Sequence, residues 1–96
     1  MAMTVEEMVE WYKNNSDWSN KEKYKSKIAS DLELLTALNP FLEKGYSLIA
    51  AAEHDVVYFG VLLEALAKAD DELIKDILSY SGVFIEEGTD SLGMFV

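Results

Sequence analysis

Apolar residues recur at helical spacing near the start of the chain. Those of the first run are Val5, Met8, Val9 and Tyr12. A helix with 3.6 residues per turn places residues three and four apart on one face. Thr4 and Glu7 form a capping box, which satisfies amide donors at the start of a helix. We therefore predict a first helix from about Val5 to Lys13.

A second, longer helix is predicted after a polar turn at residues 14–17. Ser19 and Glu22 form another capping box. The apolar stripe that follows is Tyr24, Ile28, Leu32, Leu35 and Leu38. Pro40 has no amide donor and disfavours helical geometry at Asn39, so this helix should stop or kink near Leu38. Asn39 is then expected to cap a short extra turn that ends at Gly45.

Two short apolar runs follow, at Tyr46–Ala52 and Val56–Phe59, on either side of the polar residues 53–55. Short apolar runs around a polar turn are typical of two antiparallel strands. The three alanines at 50–52 are also compatible with a helix. We predict a hairpin and keep the helix as the alternative.

The last third of the chain predicts a helix and a second hairpin. The helical stripe is Leu62, Leu66, Ala69, Leu73, Ile77 and Tyr80. Gly82 is suited to the left-handed residue that ends a helix. The chain should then turn at residues 87–90. In this register Glu86 pairs with Ser91, Ile85 with Leu92, Phe84 with Gly93 and Val83 with Met94, and the Phe84 ring covers the bare glycine backbone.

This order of elements predicts an α+β fold: two N-terminal helices, a β-hairpin, a helix and a C-terminal β-hairpin. Antiparallel hairpins commonly keep one face of the sheet for the core. We therefore expect a small antiparallel sheet with helices on one face. Ninety-six residues, half of them apolar, suit one domain spanning 1–96.

The charge balance favours a basic partner. The chain has 18 acidic residues and 8 basic ones, all of them lysine, for a net charge of −10. Arginine is the preferred side chain for bidentate phosphate recognition and for base-edge contacts. Its absence argues against direct nucleic-acid binding, and a negative field attracts basic proteins or nucleoprotein complexes.

The composition also bears on location. The chain has no cysteine, which removes disulfides and suits a reducing compartment. The first residues do not resemble a secretory signal, and no run approaches the ~20 apolar residues of a membrane span. We expect a soluble, cytoplasmic protein that does not bind membranes.

His54 is the one candidate for metal or acid–base chemistry. Glu53 and Asp55 flank it, but consecutive residues in a tight turn project in different directions. The sequence has no second histidine or cysteine to complete a tetrahedral metal site. We interpret the segment as a solvated turn. Catalytic templates such as a phosphate-binding glycine loop or a nucleophile elbow are also absent from the sequence. We predict a binding protein that is not an enzyme and has no catalytic, cofactor-binding or metal-binding residues.

Three groups of residues are candidates for partner binding. Two are acidic and one is aromatic: Asp70, Asp71, Glu72 and Asp76; Glu86, Glu87 and Asp90; Trp11 and Trp18. The acidic groups could mimic a phosphate array, although a solvated helix face is the ordinary alternative. Aromatic residues are enriched at binding hot spots, but they also close small cores. Trp11 lies off the apolar stripe of the first helix, so we expect it to be exposed.

Lys21, Lys23, Lys25 and Lys27 form the one basic cluster. On a helix, alternate residues spread around the axis rather than along one face. We interpret them as the solvated start of the second helix, with phosphate binding as the alternative.

The second half of the chain resembles small uncharacterised bacteriophage and prophage proteins. The resemblance covers about half of the sequence. It is carried by the Glu53-His54-Asp55 turn, the helix after it, Glu86-Glu87, Asp90-Ser91-Leu92 and the ending Met94-Phe95-Val96. It implies no catalytic residues.

Small acidic phage proteins are often inhibitors of host complexes, such as anti-CRISPR and anti-restriction proteins. Together with the net charge of −10 and the missing arginines, the resemblance implies a non-enzymatic, DNA-mimic-like inhibitor of a defence or nucleic-acid-processing complex in the host cytoplasm. The alternative is a phage assembly protein that forms a homodimer or larger homo-oligomer through an uncovered sheet edge, the strand Leu92–Val96.

Overall fold

The computed structural model describes residues 3–15 and 24–95, and this part of the chain has the predicted α+β fold. Its helices are α1 (Val5–Asn15), α2 (Asp31–Leu38), α3 (Leu63–Leu66) and α4 (Asp71–Ser79), with a 3₁₀ turn at Asn39–Phe41. Its strands are β1 (Ile49–Glu53), β2 (Val56–Leu62), β3 (Val83–Glu86) and β4 (Ser91–Phe95).

The four strands form one antiparallel sheet in the order β1-β2-β4-β3. Each hairpin therefore contributes one inner and one outer strand. The register predicted for the second hairpin is confirmed at all four pairs, including Phe84 with Gly93. The predicted edge at Leu92–Val96 is wrong, because β4 pairs with β2 on one side and β3 on the other. The outer strands are β1 and β3.

The helices pack against one face of the sheet, as predicted. Successive side chains of a strand point to opposite faces. Phe59 and Val61 of β2 and Leu92 of β4 point to the helical side and are buried. The helical residues buried with them are Met8, Leu34, Leu38, Leu63, Leu66, Ile74, Ile77 and Leu78.

The N-terminal capping box is confirmed. The Thr4 amide donates to Oε1 of Glu7 at 3.0 Å, and the Glu7 amide donates to Oγ1 of Thr4 at 3.1 Å. The hydrogen bonds from Thr4 lower the pKa of the exposed Glu7 carboxyl. α1 consequently begins at Val5, as the sequence predicts.

The second helix is shorter than predicted. Residues 24–29 are not helical, and α2 begins at Asp31. Ser30 is its N-cap, since Oγ of Ser30 accepts from the amide of Glu33 at 3.2 Å. The proposed capping box at Ser19 and Glu22 lies outside the described residues. The predicted stop before Pro40 is confirmed, because α2 ends at Leu38 and a 3₁₀ turn follows.

The third helix is also interrupted. Leu62 is the last residue of β2, and a turn at residues 67–70 separates α3 from α4. The amides of Lys68 and Ala69 donate to carbonyls three residues earlier, which closes the end of α3. Asp70 has extended backbone geometry, with ψ of 146°. The chain thus passes from β2 through the short α3 and a turn before α4 begins. Gly82 has the predicted left-handed geometry, at φ of 90°, but it does not end the helix, because α4 ends at Ser79 and Tyr80 is already extended.

The first hairpin is confirmed, and alanines 50–52 lie in β1 rather than in a helix. The strand begins at Ile49, three residues later than predicted. Tyr46 and Ser47 instead pass over Gly60 of β2, whose amide donates to the Leu48 carbonyl at 2.8 Å. A Cβ on Gly60 would lie 2.2 Å from the Ser47 carbonyl oxygen. Glycine is therefore required at this crossing.

We predict that Gly60→Ala lowers the free energy of unfolding by about 1–3 kcal/mol, because the backbone around Ser47 must move. Urea unfolding followed by circular dichroism measures this change. Gly88→Ala is the matched control, because its Cβ would meet only the flexible end of Glu86, at 3.3 Å. We expect that control to stay within about 0.5 kcal/mol of the parent. Equal effects at the two positions would contradict the crossing as the cause.

Candidate protein-binding site

The sheet face opposite the helices is the candidate site. Its side chains alternate with those of the core along each strand. They are Ala51 and Glu53 on β1, Tyr58 and Leu62 on β2, Phe84 and Glu86 on β3, and Ser91, Gly93 and Phe95 on β4. We call these residues the open face. Most of them are apolar, although no helix of the described residues packs on this side.

An aromatic row crosses one end of the open face. The ring centroids of Tyr58 and Phe84 are 6.3 Å apart, and those of Phe84 and Phe95 are 4.8 Å apart. The Phe84 ring lies over Gly93, where a Cβ would come within 2.5 Å of Cζ. This confirms the predicted cover of the glycine. Phe95 remains 61% exposed, so the row presents apolar surface to solvent.

A groove of about 470 Å³ runs across the other part of the open face. Its apolar and aromatic lining includes Tyr46, Ala50, Ala51, Tyr58 and Leu62. Two carboxylates, Glu53 and Glu86, also line it, and its lining within the described residues contains no lysine. The lining of the groove is therefore mostly apolar and carries negative charge.

An acidic flank lies around the turn of the second hairpin. A second hollow of about 490 Å³ is lined by Val5, Glu6, Val9, Glu10, Lys13, Glu87 and Asp90. Nζ of Lys13 lies 3.2 Å from Oε1 of Glu87, with both side chains mostly exposed. Glu86 lies in the groove and Glu87 in this flank. The fold thus brings the second predicted acidic group beside the open face and adds carboxylates from α1.

The first predicted acidic group is arranged differently. Asp76 is only 7% exposed, so it is not part of an acidic surface. Its Oδ1 accepts from the Lys27 amide at 3.1 Å, and its main-chain oxygen accepts from Oγ of Ser26 at 2.5 Å. The Tyr24 phenol also interacts with the Asp76 carboxylate. Asp76 therefore ties Ser26 and Lys27, in the non-helical segment before α2, to α4.

The rest of that group lies near the start of α4. Glu72 forms an ion pair with Lys27, and Asp70 is exposed. Asp71 is half-buried, and its Oδ1 has no hydrogen-bond partner among residues 3–15 and 24–95. These carboxylates do not form a continuous unpaired array like the phosphates of a nucleic acid.

Two tyrosines bear on these contacts. Partial burial, aided by the hydrogen bond to Asp76, raises the pKa of Tyr24. Tyr80 donates to Oδ1 of Asp31 at 2.5 Å, and that hydrogen bond raises the pKa of Tyr80. Both phenols therefore favour their neutral form. Tyr24 joins the segment before α2 to α4, and Tyr80, just after α4, joins the C-terminal end of α4 to the start of α2.

We predict that Asp76→Ala lowers the free energy of unfolding by about 1–3 kcal/mol, because it leaves the Lys27 amide without its acceptor. Thermal and urea unfolding measure this change. Glu72→Ala is the control, since its ion pair is about two-thirds exposed on both sides, and we expect it to cost less than about 1 kcal/mol. An Asp76→Ala protein as stable as the parent would refute the anchoring role.

Among the aromatic and basic candidates, Trp11, Lys25 and Lys27 lie within the described residues. Trp11 is half-buried rather than exposed, and packs edge-on against Tyr24 with ring centroids 5.7 Å apart. Nζ of Lys75 lies 6.0 Å from the centre of its ring. Trp18 lies outside the described residues, as do Lys21 and Lys23. Lys25 is exposed but not helical, so the interpretation of this segment as a solvated helix is wrong from residue 24 onward.

His54 lies in the two-residue turn between β1 and β2, at φ of 50°. It is exposed, as are Glu53 and Asp55. In the described ranges, no three histidine or acidic side chains are close enough to hold a metal ion. In the same ranges, no helix is long and apolar enough to cross a membrane.

Comparisons with protein-family models, curated proteins and solved structures gave no match for this chain. The candidate site therefore depends on geometry alone. Sequence reasoning missed Tyr46, Tyr58 and the alanines of β1 as site residues. A signal was present, because β2 reads VVYFGVL and is apolar at nearly every position. A strand that is apolar on both faces is typical of a sheet covered on both sides.

Proposed function

We propose that this protein is a non-enzymatic, acidic binding protein that holds a basic partner protein on its open face. The observation that carries the proposal is an apolar sheet face, with an aromatic row and a groove, left uncovered by the helices. Large exposed apolar patches with polar margins are characteristic of protein interaction sites.

Charge selects the class of partner. The net charge is −10, and the groove margins and the acidic flank both carry carboxylates. A negative surface speeds encounter with basic proteins and disfavours acidic ones. Together with the resemblance to phage proteins, this supports an inhibitor that occupies a basic, nucleic-acid-binding surface of a host defence or processing complex in the cytoplasm.

The geometry favours the open face over the start of α4 as the contact. Asp76 is buried in a structural role and Glu72 is paired with Lys27. On the other side of the molecule, Glu53 and Glu86 lie next to apolar surface that binding would bury. Buried apolar area provides affinity, while charged margins provide orientation and rate.

A second candidate function is self-assembly through a sheet edge. β1 is an outer strand and all five of its residues are exposed. Unpaired strand edges are templates for pairing with another chain. In this case the edge is β1, not the strand at Leu92–Val96.

The charge contribution is tested with two double variants of equal net charge. We expect Glu53→Lys with Glu86→Lys to lose proteins that the parent retains from host lysate. Glu64→Lys with Asp70→Lys should keep them, because these exposed residues lie outside the groove. The two carboxylates of the groove, Glu53 and Glu86, contribute up to about tenfold in affinity. Retention of partner proteins by the parent should also weaken as the salt concentration rises. Equal retention by both variants, at every salt concentration, would refute binding at the open face.

Self-assembly is tested by light scattering of the parent at several concentrations. Monomer throughout would exclude the second candidate, because strand pairing between copies depends on concentration. A concentration-dependent dimer would favour it over the basic partner.

A further inference from the structure

We propose that β1 binds an extended segment of the basic partner as a fifth strand of the sheet. This inference rests on the proposed function and identifies how the partner is held. Addition of a strand to a sheet edge provides affinity through main-chain hydrogen bonds and specificity through alternate side chains.

The two edges of the sheet differ in what protects them. β3 is four residues long and packs beside α4. β1 is five residues long, wholly exposed, and has neither proline nor lysine, which are the usual residues that block an edge. Its register shifts between Ile49 and Ala51, but Ala51, Ala52 and Glu53 pair regularly with β2. The available edge is therefore at the Ala51–Glu53 end.

The register identifies which main-chain groups are free. Glu53 and Val56 flank the two-residue turn and form the hydrogen-bonded pair that closes the hairpin. Pairs alternate in an antiparallel ladder, so Ala52 and Val57 form the next, non-hydrogen-bonded pair. The amide and carbonyl of Ala52 consequently point away from β2. They are the groups that an added strand would use.

Side chains of the added strand would meet distinct surroundings. Ala51 and Glu53 lie on the open face, and Ala52 lies on the opposite side. A partner residue beside Ala51 would extend over the small methyl group into the groove, which favours an apolar side chain. A partner residue beside Glu53 would face a carboxylate, which favours lysine or arginine. The occupant that fits is an extended segment with alternating apolar and basic residues.

Charge argues against a second copy as the occupant. Each copy carries −10, and β1 itself has Glu53 and no basic residue. Like charges opposed across paired strands are destabilising. A basic segment replaces that repulsion with attraction.

The test uses the whole protein and a synthetic peptide that repeats Lys-Thr-Val-Thr, so that lysine and valine alternate on one face. We expect saturable binding that weakens with salt, with slower exchange of the Ala52 amide in the complex. Ala52→Pro removes the outward donor and places its ring where the added strand would lie, while leaving the ladder to β2 intact. It should weaken binding at least tenfold. Ala52→Val, which keeps the amide, should bind like the parent.

The outcomes separate this inference from the proposed function. Binding lost in Glu53→Lys with Glu86→Lys but unchanged in a folded Ala52→Pro would overturn strand addition and leave the open face as the site. If Ala52→Pro does not fold, hydrogen exchange of the Ala52 amide in the parent is the deciding measurement. An Ala52 amide that exchanges equally fast at saturating peptide also overturns strand addition. Absence of peptide binding to the parent also overturns strand addition by a basic partner. A dimer of the parent that Ala52→Pro abolishes would overturn it too, since a second copy would then occupy β1.

Discussion

The antiparallel pairing of β2 with β4 is the interaction on which the rest of this fold depends. Each of these strands belongs to a hairpin that is local in sequence, and a single hairpin is at best marginally stable in water. Their pairing joins the two hairpins into one sheet. It also aligns Phe59, Val61, Leu92 and Met94 on one side, where the helices bury them. Without this pairing the helices would have no common surface to cover.

The same pairing creates the open face. β2 and β4 have apolar residues on both sides, but the described helices lie on one side. Tyr58, Phe84 and Phe95 consequently pack on each other, which buries part of their area and leaves the rest in solvent. A groove with carboxylates at its margins is the result. The proposed binding role follows from this unequal cover.

Asp76 has a comparable organising role on the helical side. A buried carboxylate is costly unless its oxygens are hydrogen-bonded. Asp76 meets that requirement by accepting from the Lys27 amide, and in doing so it holds the non-helical segment before α2 against α4. A residue that looks like one of several surface acids in the sequence is therefore part of the framework. The carboxylates beside the open face belong to β1, the second hairpin and α1 instead.

Local rules in the sequence determined much of this protein. The capping box at Thr4, the stop before Pro40, the left-handed Gly82 and the register of the second hairpin depend on neighbours a few residues apart, so the sequence predicts them correctly. The α+β class follows from the same patterns.

Contacts between distant segments decided the remainder. Residues 24–29 are not helical despite their helical stripe, and Asp76, about 50 residues away, accepts hydrogen bonds from this segment. The break before α4 depends on β2 running to Leu62. The interior position of β4 depends on which strand the second hairpin joins. The pairing of β4 with β2 creates the open face and with it the candidate site. Local patterns in the sequence indicate which residues are apolar, but not which of them another element covers.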